Sequence, residues 1–142
     1  MPDGLKLKIG IVVSAFNKDI TESMLNGVLA VLKGARVKKI NISVLRVPGS
    51  FEIPYGCVKL LKARKPDAII TLGCIIKGET THDQYIASAA SNGIMDVMLS
   101  YGVPISFGVI TVNNLRQAKV RSTRETNKGR EAAITALEMA LI

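Results

Sequence analysis

The sequence predicts an α/β fold, a three-layer α/β/α sandwich around a four-stranded parallel sheet. Two observations carry this reading. Short β-branched apolar runs, among them Ile11-Val12-Val13 and Ala68-Ile69-Ile70-Thr71-Leu72, lack the alternation of a half-exposed strand and read as strands covered on both faces. Between such runs the apolar residues recur at helical spacing, so strands and helices alternate, as right-handed crossovers in a parallel sheet require. No repeat, low-complexity segment or linker interrupts the alternation, and 142 residues suit one domain, 1–142, with one substantial core.

Leu7, Ile9 and Ile11 to Val13 form the first strand, which ends at Ser14-Ala15-Phe16-Asn17 and brings Phe16 to the carboxyl edge of the sheet. Asp19 or Thr21 then caps a helix with Ile20, Met24, Leu25, Val28, Val31 and Leu32 on one face, and Gly34 terminates it. Ile40, Ile42, Val44 and Val47 alternate as a second strand, broken by Pro48-Gly49-Ser50 before Phe51-Glu52-Ile53-Pro54 opens the next helix. That helix turns Cys57, Val58, Leu60 and Leu61 inward, leaves Lys59, Lys62, Arg64 and Lys65 to solvent, and stops before Pro66. The third strand, Ala68 to Leu72, meets Gly73. A long helix starting near Thr81 to Asp83 follows, with Ile86, Ala89, Ala90, Ile94, Val97, Met98 and Tyr101 inward and Gly102 with Pro104 as its stop. Ile105, Phe107, Val109 and Ile110 make the fourth strand, in which Phe107 reads as core. Asn113 or Asn114 caps a short basic helix through Arg121. Past a polar joint at Ser122 to Asn127, Ala133, Ile134, Leu137, Ala140 and Leu141 form a closing amphipathic helix.

A hydrophobic fraction of 48% excludes disorder, and no apolar run is long enough for a transmembrane helix. Met1-Pro2-Asp3-Gly4 followed by alternating Lys and Leu lacks the apolar segment of a signal peptide, so the expected location is the cytoplasm. Cys57 and Cys74 have neither paired spacing nor a secreted context, and both read as reduced thiols. The net charge of +8 is spread over helix faces, and aromatic residues make up only 4%, without a basic-aromatic stripe. Nucleic acid is therefore not the expected partner. Walker and dinucleotide motifs and a His/Cys/Asp cluster are all missing, so neither a cofactor nor a metal is expected.

Chemistry concentrates in Thr71 to His82, where a buried strand meets a long helix. In open parallel sheets the carboxyl ends of the strands are the ligand edge, and a strand-Gly-helix junction there offers free N–H groups and the positive end of a helix dipole to an anion. Here that junction also carries the only His of the chain. Anion capture beside an imidazole is the chemistry this predicts, although a lone His is commonly structural.

The strand-end segments, taken in order, resemble the lumazine synthase family over nearly the whole chain. The resemblance rests on Ile9-Gly10-Ile11-Val12-Val13 with Phe16-Asn17, Val47-Pro48-Gly49-Ser50-Phe51-Glu52-Ile53-Pro54, and Leu72-Gly73-Cys74-Ile75-Ile76-Lys77-Gly78-Glu79-Thr80-Thr81-His82. Gly102-Val103-Pro104-Ile105 with Phe107-Gly108, Gln117-Ala118 with Arg121, and Asn127-Lys128-Gly129 complete it. It implies a flavodoxin-like sandwich and the cofactor-free condensation of 5-amino-6-ribitylaminouracil with 3,4-dihydroxy-2-butanone 4-phosphate. By the family pattern Phe16 stacks on the pyrimidine, Ser50, Phe51 and Glu52 hold the ribityl chain, and Cys74, Ile75 and Ile76 line the uracil, Cys74 not as a nucleophile. Glu79 and Thr80 offer backbone N–H groups to the phosphate with Arg121 as its cationic partner, and His82 moves protons, since an imidazole titrates near neutrality. Asn17 and Lys128 support the site. Phe107, Arg121 and Lys128 come, in the family, from the neighbouring subunit of a pentameric ring, and association with riboflavin synthase is compatible with the reading.

Some features depart from the commoner pattern. The joint between Arg121 and Asn127 is one residue short, which leaves the register of Arg124 open, Thr126 stands where Gly is usual, and Glu79 replaces a small residue. Ring and larger hollow shell both stay open. A related archaeal type of riboflavin synthase, a flavodoxin-like carrier and a basic nucleic-acid binder are the rival readings. The intact Gly78-Glu79-Thr80-Thr81-His82 loop argues against the first, and a carrier needs no phosphate-eliminating His.

Overall fold

The computed structural model describes residues 1–142. Strands β1 (Ile9–Ser14), β2 (Ile42–Val47), β3 (Ala68–Ile76) and β4 (Ile105–Val112) form one parallel sheet in the order β2-β1-β3-β4. Helices α1 (Lys18–Gly34) and α5 (Lys128–Ala140) share one core with one sheet face, and α2 (Ile53–Arg64) and α3 (His82–Tyr101) share a second core with the other. A short α4 (Leu115–Val120) follows β4. The three-layer α/β/α sandwich expected from the alternation is thus the observed architecture. β1 and most of β3 are buried throughout, as their unbroken apolar runs require.

Several local expectations are corrected. β3 continues through Gly73 to Ile76, in register with Val112, instead of ending at Leu72. Gly73 is not a break: a Cβ there would lie 2.6 Å from the Ser50 hydroxyl, so its role is close approach of the chain beneath Ser50. Leu7 is buried but precedes the strand, and Ile40 sits in a 3₁₀ turn at 89% exposure. Neither Asp19 nor Thr21 caps α1. The residue before that helix is Asn17, held at φ 58°; the helix does end at Gly34, as expected, with the left-handed turn following at Arg36, φ 71°. Tyr101 and Leu141 close their helices exposed, having no layer beyond them to pack on. Asn114 does cap α4, accepting from the Gln117 N–H at 2.9 Å.

The chain crossing of α1 and α5 is fixed by polar contacts as well as by packing. The Asn127 side chain accepts from the Gly129 N–H at 2.8 Å and donates to the Ser23 carbonyl at 3.0 Å, while Gly129 itself rests against the Met24 carbonyl. A bidentate ion pair, Arg46 to Glu22 at 2.7 and 3.2 Å, ties α1 to the edge strand β2. No helix is long and apolar enough to cross a membrane.

Candidate active site

The carboxyl ends of β1, β2 and β3 open onto a cleft of about 450 Å³. Each wall follows from a strand end. Past β1, the Ala15 N–H donates to the Val47 carbonyl and the Phe16 N–H to the Pro48 carbonyl, at 2.8 and 3.1 Å. These bonds turn Phe16 out over the cleft at 68% exposure. Past β2, Gly49 leads into a 3₁₀ turn, Ser50–Glu52, that presents Ser50, Phe51 and Glu52. The end of β3 supplies Cys74, Ile75 and Ile76 as the floor, and the following loop supplies Gly78 and Thr80. His82 opens α3, a 20-residue helix whose amino terminus lies at the cleft, and its N–H donates to the Thr80 hydroxyl at 3.3 Å.

Asn17 does not line the cleft. Its amide donates to the Cys74 carbonyl at 2.8 Å, which fastens the turn bearing Phe16 to the end of β3. A left-handed conformation is cheaper for Asn than for most residues, so the site is braced there at modest cost. Burial pushes the Cys74 thiol up to about 11 and Cys57 to about 12. Both thiols are therefore neutral at physiological pH, and Cys74 lines the cleft.

Of the residues expected at the site, Phe16, Ser50, Phe51, Glu52, Cys74, Ile75, Ile76, Thr80 and His82 converge on this cleft. Glu79, between two lining residues, does not line it. Phe107, Arg121 and Lys128 are not brought to it by their own chain. Phe107 is 49% exposed and shares a separate surface depression with Lys128, whose ammonium pairs with Glu131 at 2.9 Å. The Arg121 guanidinium donates to the Gln117 carbonyl at 3.2 Å. Phe107 as core is thus corrected: alternation identifies the face of a strand but not what covers it, and on this edge strand the side chain is left half exposed. Gly49, Gly78, Asp83 and Ile86 line the cleft without having been expected there. Asp83 adjoins His82 and Ile86 stands one helical turn on, and that spacing was the available signal.

Residues 6–142 match the family described as 6,7-dimethyl-8-ribityllumazine synthase. A protein of that name from Parabacteroides distasonis is 43% identical over 140 residues, covering 98% of this chain and 88% of the relative. The chain belongs to the lumazine synthase family. Lumazine synthase is a transferase of riboflavin biosynthesis that condenses 5-amino-6-(D-ribitylamino)uracil with 3,4-dihydroxy-2-butanone 4-phosphate, giving 6,7-dimethyl-8-ribityllumazine, phosphate and water.

Proposed function

We propose that this cleft is where the lumazine synthase reaction takes place and that the single domain, 1–142, divides the work as follows. Phe16 stacks on the pyrimidine, against a floor of Cys74, Ile75 and Ile76. Ser50, Phe51 and Glu52 hold the ribityl chain, the Glu52 carboxylate accepting from its hydroxyls. The backbone N–H groups of Glu79 and Thr80, at the positive end of the α3 dipole, cradle the phosphate of the second substrate. His82 takes and returns protons as the amine condenses to an imine, phosphate leaves and the ring closes with loss of water. Protein groups alone perform these steps, without metal or cofactor.

The observation that carries this reading is the convergence of Phe16, Ser50, Glu52, Thr80 and His82, from distant parts of the sequence, on one cleft. Phe107, Arg121 and Lys128 then serve the site of an adjacent subunit, Arg121 as the bidentate partner of the phosphate and Lys128 in support. The exposure of Phe107 and Lys128 and the position of all three away from their own cleft favour this. So does the outward face of α3, where Tyr85, Met95 and Leu99 are 71%, 49% and 72% exposed within one side of the helix. A pentameric ring with sites between subunits, or an assembly of such rings, accounts for both. The cytoplasm is its setting, with two small-molecule substrates, no nucleic acid and no membrane as partners, and with association with riboflavin synthase compatible. Mixing the purified protein with both substrates should produce lumazine absorbance and release phosphate together. Appearance of neither product would overturn the assignment.

A further inference from the structure

Two buried hydroxyls have no hydrogen-bond partner, Ser14 and Ser106, and one of them lies at the ligand edge of the sheet. Ser14 is the last residue of β1 and wholly buried. Val12, two residues earlier, belongs to the core under α2 and α3, so the two-residue period of a strand turns Ser14 to that same layer, beneath the cleft. Val13 pairs with Leu72, which brings Ser14 level with Gly73 on the neighbouring strand. Gly73 is the residue whose missing side chain makes room for the Ser50 hydroxyl, 2.6 Å from where its Cβ would stand. The hydroxyls of Ser14 and Ser50 therefore flank one bare stretch of backbone. Ser50 lines the cleft, and the wholly buried Ser14 does not.

A buried hydroxyl without a partner is costly, and alanine in its place would remove that cost. We propose that Ser14 is a positioning residue of the polyol subsite: its hydroxyl pairs with Ser50, directly or through one water, when the ribityl chain is bound. A hydroxyl both donates and accepts. With Ser14 engaging one side of the Ser50 oxygen, the other side is left oriented toward a substrate hydroxyl. Ser14 thereby acts through Ser50 and does not touch the substrate. The inference rests on the reading of the cleft given above.

The experiment is a double-mutant cycle of Ser14→Ala and Ser50→Ala, read by the KM of each substrate and by thermal melting. Ser14→Ala should raise the KM for the ribitylaminouracil roughly two- to tenfold, the worth of one uncharged hydrogen bond. The KM for the phosphate substrate should not change, nor should the melting temperature fall. The double variant should bind the polyol substrate no more weakly than Ser50→Ala alone. A uracil carrying methyl in place of the ribityl chain should not distinguish Ser14→Ala from the wild type. An unchanged KM for the polyol substrate, additive effects, or an equal loss with the methyl compound would each overturn the role of Ser14. If the wild type itself forms no lumazine, the reading of the cleft fails first, and Ser14 falls with it.

Discussion

His82 is the one imidazole of the chain and lines the cleft, and replacing it tests its proposed part in proton transfer. His82→Ala should keep the fold and slow turnover by up to roughly 10²-fold, the low end for general acid–base catalysis, because an amine and a ketone condense slowly unaided. Steady-state kinetics of lumazine formation check this, and an unchanged rate would remove His82 from the mechanism. Cys74 should behave oppositely. Its thiol is buried and pushed up to about 11, so it should resist alkylation near pH 7.5, and Cys74→Ser should keep most of the turnover. At this scale the legibility of the sequence was uneven for a physical reason. Phe16, Glu52 and His82 stand at strand ends or a helix start, positions set by local punctuation. Phe107 stands mid-strand, where only knowledge of what covers the strand separates core from exposed surface, and only the family resemblance pointed to its exposure.

Among elements, the junction between β3 and the Ser50 turn is the most sensitive. Gly73→Ala would drive a Cβ into the Ser50 hydroxyl and toward Ile53 at 3.3 Å, so the turn must shift. Overpacking of this kind costs typically about 1–3 kcal/mol, and because Ser50 lines the cleft the KM for the polyol substrate should rise along with the loss in melting temperature. Reading Gly73 as a break was reasonable from sequence alone, since Gly both ends strands and admits close approach. Which of the two applies depends on a residue more than twenty positions away. The Glu22–Arg46 pair is a second test at this scale. The hydrogen bond from Arg46 holds the Glu22 carboxyl below its ordinary value of 4.5. A carboxylate lowered in the folded state contributes stability above its unfolded value, and that contribution fades as pH falls through the lowered one. With side chains 51% and 33% exposed, the pair is worth no more than about 1 kcal/mol. Glu22→Gln should therefore melt a few degrees lower at pH 7, and the gap should begin to close as pH falls past 4.5 and vanish once it is below the lowered value. A gap independent of pH would assign the effect to packing.

For the molecule as a whole, alternation of buried strands and amphipathic helices was enough to give the layers, because covering a parallel sheet on both faces leaves little choice. The assembly was not legible in the same way, since nothing in periodicity says which exposed apolar residues meet a second copy. It is nonetheless testable through the division of the site. In one chain His82 lies at the cleft while Phe107 and Lys128 face another surface, and the proposed head-to-tail ring, in which each interface joins unlike patches, would bring the two together. Arg121→Ala should weaken the phosphate substrate far more than the uracil, because only the former offers a dianion to a guanidinium. Co-expressing His82→Ala with Arg121→Ala then distinguishes a shared site from a self-contained one. Wherever a chain lacking Arg121 contributes the His82 half and its neighbour lacking His82 contributes the Arg121 half, a complete site forms. Random mixing makes roughly a quarter of the interfaces complete, so activity should return to about that fraction of wild type, well above either parent. A self-contained site allows no rescue, since every chain lacks one group. Mixed assemblies isolated by two distinguishable affinity tags, yet as inactive as their parents, would mean that Arg121 serves its own chain.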